Sequence, residues 1–174
     1  PFALDIRCPP PPSNDLCSSP IQIFDGVNPS APNGNPAQVF SNIGALDTFS
    51  FGFNTTCQLF GPGTFTGHNT NDVFFTYVAS CTSDVRIGLC SPPGFPATAV
   101  DGKIEIFEMA SCPNGIPFTF ACSYTDCVGN TGVTFAAVAG QTYLIRVGSG
   151  HFGPEFDFYL TVDPAFCLIM DAPA

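Results

Sequence analysis

The clearest alternation of apolar and polar positions lies in the last third of the chain. Across residues 142–147, Tyr143, Ile145 and Val147 point one way and Thr142, Leu144 and Arg146 the other. Across 156–162, Phe156, Phe158, Leu160 and Val162 are expected to face a core, with Asp157, Tyr159 and Thr161 facing out. A period of two is that of a β-strand. Further β-rich runs fall at 21–24, 48–53, 73–78, 85–89, 104–109, 117–122 and 133–138, separated by Gly, Pro, Asn and Ser clusters such as 28–36, 60–71 and 91–96. The three residues Ala139-Gly140-Gln141 predict a tight turn that joins 133–138 to 142–147 as a hairpin. No window carries a helical period, and 18 prolines break most candidates. The pattern predicts an all-β, jelly-roll-like β-sandwich of about nine strands with a protruding N-terminal strand.

Composition narrows the class. A length of 174 residues suits one domain with an appended arm, read here as an arm at 1–12 and a disulfide-stapled sandwich at 13–174. A chain of this length buries an adequate core without staples, so its nine cysteines call for an oxidising compartment and place it as secreted and extracellular. No cysteine spacing makes a zinc ribbon, and His68 and His151 stand far apart. Pro1 is taken as the start of a processed chain. Charged residues make up only 10% of the sequence, against roughly a quarter in ordinary domains, so the surface is either neutral and polar or covered by other copies. The net charge of −10 argues against nucleic acid and anionic lipid as partners. No apolar run reaches the roughly 18–20 residues that span a bilayer as a helix, so no membrane insertion is expected.

Several motifs carry a family resemblance. Asn14-Asp15-Leu16-Cys17 and Ile21-Gln22-Ile23-Phe24-Asp25-Gly26 open the domain. Asn71-Asp72-Val73-Phe74-Phe75-Thr76-Tyr77 leads through Ala79-Ser80-Cys81-Thr82 to Cys90. Then come Ala121-Cys122 with Cys127, Val133-Thr134-Phe135-Ala136-Ala137, and Gly140-Gln141-Thr142-Tyr143-Leu144-Ile145-Arg146-Val147-Gly148. Together, from about Asn14 to Val162, they resemble the repeated extracellular β-sandwich domain of planctomycete-type secreted proteins, itself similar to the bacterial pre-peptidase C-terminal domain. The resemblance implies a jelly-roll-like sandwich used in binding or assembly rather than turnover. The chain departs from the family after Ala-Cys, where an acidic run is replaced by Ser123-Tyr124-Thr125-Asp126, so no calcium site is carried over onto that loop.

The arm repeats a strand pattern. Phe2-Ala3-Leu4-Asp5-Ile6 matches Phe158-Tyr159-Leu160-Thr161-Val162 position by position, and Cys8 and four prolines follow it. In tandem family members a closing strand, a cysteine and a proline-rich linker stand in that order before the next domain. Polyproline is stiff and extended, which hinders folding back, and a lone apolar strand left in water exposes both side chains and an unpaired edge. Strand donation to another copy resolves this, with Phe2, Leu4 and Ile6 filling alternate pockets. Each such side chain contributes about 1.5–3 kcal/mol before ordering costs. Donor on one copy and acceptor on the next is a heterologous contact, which repeats into a filament or ring. The competing reading is an edge strand on the arm's own sandwich.

Cys81 and Cys90 bracket a strand and are expected to pair. Chain order and the family pattern imply Cys17 with Cys57 and Cys112 with Cys122. Cys8 is expected to bond either to a cysteine of the acceptor copy or to Cys127 or Cys167 of its own chain; nine cysteines leave one unpaired in any head-to-tail polymer.

Catalytic chemistry finds little support. His68 and His151 lie in Gly-rich loops, and Ser149 is too close to His151 along the chain for a standard triad. Asp15, Asp72, Asp101 and Asp126 are oxygen donors without a calcium-loop spacing, so neither metal nor cofactor is expected. Asn54-Thr55-Thr56 fits the N-glycosylation pattern, and Thr64, Thr66 and Thr70 offer hydroxyls for O-linked sugar, which makes surface glycans candidate partners. The expected role is a non-enzymatic structural subunit of an extracellular filament, a homopolymer of itself. The alternative is a secreted carbohydrate- or protein-binding module.

Overall fold

Ten strands and no helix form among the described residues of the computed structural model, which are 9–25, 39–46, 70–89, 102–110, 112, 121–125, 132–149 and 155–165. Five strands make the larger sheet: β1 (Ile21–Ile23), β3 (Thr70–Val78), β8 (Thr142–Ser149), β5 (Gly102–Phe107) and β6 (Ala121–Thr125), in that spatial order. Facing it is a second layer built from β10 (Thr161–Pro164), β4 (Ser83–Gly88) and β7 (Gly132–Ala137), together with the pair β2 (Val39–Ser41) and β9 (Asp157–Tyr159). The neighbours pair antiparallel except β1, which runs parallel to β3. The all-β, sandwich-like architecture expected from the alternation is the one observed.

The core lies between the layers. From the five-stranded sheet come Ile23, Val73, Phe75, Tyr77, Ile104, Ile106, Tyr143, Ile145 and Val147; from the opposite layer Phe40, Val85, Ile87, Val133, Phe135, Phe158, Leu160 and Val162. Aromatic contacts join them edge to face: Phe40 with Phe75 at 4.9 Å and Phe135 with Tyr143 at 4.9 Å. In β4 and β7 the alternation is clean, with Asp84, Arg86, Thr134 and Ala136 outward and exposed. The central strands of the five-stranded sheet, β3, β8 and β5, are largely buried on both faces instead. Its outer face carries a second small cluster, Phe74, Phe107 and Leu144, against which Cys17 and Met109 pack. This accounts for the near-continuous apolar character of 73–78 and 142–147.

Three expectations are corrected. Residues 133–138 and 142–147 do not form a hairpin: β7 pairs with β4 in one layer and β8 with β3 and β5 in the other. The turn between them is an arch that carries the chain across the core. A matching arch joins β3 to β4, and the two stack through Gly140 N–H donating to Ala79 O at 2.8 Å and Ala79 N–H donating to Gln141 O at 3.1 Å. Residues 156–162 do not form one strand: they are split into β9 and β10 at Leu160, and Tyr159, expected outside, is buried. Cys17 is bonded to Cys112 with Cα atoms 5.5 Å apart, which excludes the pairings Cys17 with Cys57 and Cys112 with Cys122. Cys81 and Cys122 are each disulfide-bonded as well. The partner expected for Cys81, Cys90, lies outside the described residues, as do Cys8, Cys57, Cys127, Cys167 and the predicted strand 48–53.

Candidate functional site

Phe2, Leu4, Ile6 and Cys8, the expected interface residues, precede the described part, which begins at Pro9 within the proline run. Pro9, Pro10 and Pro11 are exposed, and the chain then turns sharply inward. Asp15 N–H donates to Pro12 O at 3.1 Å and closes the turn. Asn14 is buried and locked to β3, its backbone O accepting from Phe74 N–H at 2.8 Å and its Nδ2 donating to Phe74 O at 2.9 Å. The Asp15 carboxylate accepts from Leu46 N–H at 2.6 Å, which ties the root of the arm to the turn that follows β2. In that turn Gly44 has φ +77°, and a Cβ there would lie 3.1 Å from Pro9 O and 3.3 Å from Pro9 Cγ. Glycine suits both the left-handed backbone there and the close approach of the proline run.

Asparagines hold the far side of this turn. Asn42 donates from Nδ2 to Ser149 Oγ at 3.1 Å, while its Oδ1 accepts from Phe156 N–H at 2.6 Å. Asn71, at φ 51°, sits at a bulge that puts one extra residue into β3 and donates to Ala45 O at 3.1 Å and Glu155 Oε1 at 2.9 Å. Asn14, Asp15, Asn42, Asn71 and Ser149 thus make one polar frame. It fixes the root of the arm, the β2 turn and the start of β9 against the end of β8. Around it Val39, Ile43 and Leu46 stay exposed, Leu46 at 59% and Val39 at 50%. Exposed apolar side chains thus stand beside a hydrogen-bonded polar frame.

The second polar centre is wholly internal. On the outer face of the five-stranded sheet, Arg146 Nε pairs with Asp72 Oδ2, its Nη1 lies 3.2 Å from Glu105 Oε2, and Lys103 Nζ lies 2.6 Å from Glu105 Oε1. All four side chains are essentially unexposed. Burial pulls the Lys103 ammonium below the usual lysine pKa, against the Glu105 carboxylate, which raises it. The four side chains are two bases and two acids. Arg146 lies on the face that the alternation of 142–147 gives it; the burial of Lys103 and Glu105 leaves no mark in the sequence, because a Lys-x-Glu pair in a strand reads as a wet edge. Two of the chain's four basic residues are thereby removed from the surface, which leaves it poorer in cations than composition implied. Asp72, considered as an oxygen ligand, is engaged by Arg146, and Asp15 by Leu46. Asp101, Asp126, His68, His151 and Asn54 lie outside the described residues. Among the described residues no three His, Cys, Asp or Glu side chains converge as a metal site.

A third feature is an open groove of about 490 Å³ on the outer face of the second layer, lined by Asp84, Arg86, Thr134, Asp163, Pro164 and Ala165. Comparison of the chain with protein-family models, with curated proteins and with solved structures found no match.

Proposed function

We propose that the chain is a non-enzymatic structural subunit of an extracellular filament, joined head-to-tail by its N-terminal strand. The observation that carries this is the contrast on either side of the prolines. Residues 14–15 are clamped into the sandwich by one buried and one part-buried side-chain hydrogen bond, while Pro9 to Pro11 are exposed. Ahead of them stands the alternating apolar set Phe2, Leu4 and Ile6. An alternating apolar segment joined through a stiff linker to a fixed root meets the requirement for strand addition. Multiple disulfide-bonded cysteines favour an oxidising, extracellular setting, and the cation-poor surface favours copies of itself over nucleic acid as the partner. Membership of the planctomycete-type secreted β-sandwich family is part of the same proposal and rests on the motifs quoted above.

Deleting residues 1–8 tests the reading. The shortened chain is expected to sediment as a folded monomer where the full chain assembles; assembly that persists unchanged overturns it. The groove beside Arg86 favours one second reading, a secreted module that binds carbohydrate or protein, since its size suits a small ligand and Asp84, Arg86, Thr134 and Asp163 offer polar groups along a largely apolar wall. Under that reading, Arg86→Ala abolishes glycan or peptide retention by a monomeric full chain.

A further inference from the structure

We propose that the outward backbone edge of β2 is the acceptor strand, and that its occupant is residues 2–6 of a second copy; this rests on the reading that the arm is donated. The hydrogen-bond phase of β2 is fixed by its partner. Phe40 is opposite Phe158, and Asn42 N–H donates to Phe156 O at 3.2 Å, so the backbone groups of Phe40 and Asn42 are turned toward β9. Those of Val39 and Ser41, the alternate residues, are turned away from it. Among the described residues no strand pairs with that side: β2 and β9 form a two-stranded sheet.

The side chains agree with the backbone. Phe40 points into the core and packs on Phe75, whose register neighbour in β1 is Ile21, a half-buried residue at the edge of the other layer. A strand laid along β2 therefore places alternate residues beside Phe40 and Ile21, where Phe2, Leu4 and Ile6 would continue the core. Its other face would meet Val39, which is half exposed at present. Among the described residues both layers end on this side in strands of three residues, β1 and β2.

The arm's own root lies at the same place, since Pro9 rests on Gly44 in the turn just after β2. Eight residues precede Pro9 in the sequence, and the stiff proline run separates them from Asn14 and Asp15. Donor root and acceptor edge thus sit side by side, so an incoming arm and an outgoing arm meet at one junction. The exposed Ile43 and Leu46 flank that junction.

The test uses proline at the two outward positions. Ser41→Pro and Val39→Pro each delete an N–H that β9 does not use, and edge strands tolerate proline there. Ser41→Ala removes only the hydroxyl that accepts from Ile43 N–H at 3.2 Å and keeps the outward N–H. Sedimentation of the full-length oxidised variants is expected to show monomer for both proline variants and assembly at the level of the parent chain for Ser41→Ala. A chain lacking residues 1–8 can only accept and the Ser41→Pro chain can only donate, so their mixture is expected to stop at two copies. Should both proline variants assemble like the parent while the deletion does not, the acceptor lies elsewhere and this inference is overturned with the arm reading intact. Should the deletion assemble like the parent, the arm reading itself is overturned. A mixture that yields no two-copy species also contradicts the β2 assignment.

Discussion

Arg146 Nη1 stands 3.2 Å from Glu105 Oε2 across the β8–β5 ladder, directly opposite in register and closed off from solvent. Asp72 also pairs with Arg146, and Lys103 with Glu105. Removing one member strands a charge in a place water does not reach. Arg146→Met is therefore expected to destabilise the fold by about 3–5 kcal/mol, far more than its lost packing. Urea unfolding measures this, and a loss below 1 kcal/mol would show the cluster to be hydrated. Restoring neutrality alongside it, with Asp72→Asn in the same chain, is expected to recover part of the loss.

Much of the sandwich is legible in the sequence, and the failures have physical causes. β3, β4, β5, β7 and β8 announce themselves because their inward residues are large and β-branched or aromatic. β2 does not, because Val39-Phe40-Ser41 is too short to show a period. The arch at Ala139-Gly140-Gln141 looks like a hairpin because the same three residues suit either; whether the flanking strands pair or cross the core is decided by β4 and β3, far away in sequence. The buried cluster is invisible for a similar reason: Lys103 and Glu105 lie within one strand, but Asp72 and Arg146 come from two others.

The arch makes its own prediction. Gly140 has φ +78° and no atom within 4 Å of where a Cβ would stand, so only backbone strain opposes a side chain there. Gly140→Val is expected to cost about 1–2 kcal/mol and Gly140→Asn less, because asparagine accepts the left-handed region. Thermal unfolding of the two variants checks the ranking; equal melting temperatures would contradict it.

Cys17 and Cys112 tie the loop before β1 to the residues after β5 across 95 positions of sequence. Replacing both with serine is expected to lower stability by about 2–5 kcal/mol. Peptide mapping of the oxidised chain checks the bond directly. It is expected to yield a Cys17–Cys112 cross-linked fragment, and a fragment that joins Cys17 to Cys57 would contradict the fold described here.

Alkaline pH probes the end of β1. Tyr77 OH donates to Asp25 Oδ1 at 2.6 Å, and burial, with that carboxylate adding to it, raises the phenol well above the ordinary tyrosine pKa. The folded state keeps a proton that the unfolded chain gives up above about pH 10, so this stability is present below pH 10 and is lost as pH climbs toward the raised value. Lys103 works in the opposite sense. Its lowered pKa means that the unfolded chain binds more protons below about pH 10.4, so its contribution grows as pH rises toward that value. Unfolding free energies from pH 8 to 11 are expected to lose the alkaline decline in Tyr77→Phe; an unchanged decline would assign it elsewhere.

Assembly remains the decisive question, and electron microscopy of the full oxidised chain answers it most directly. Regular filaments whose subunit repeat vanishes on removal of residues 1–8 are the result expected here. Isolated particles of one sandwich each, at concentrations where the chain is folded and its disulfides are intact, would contradict the account.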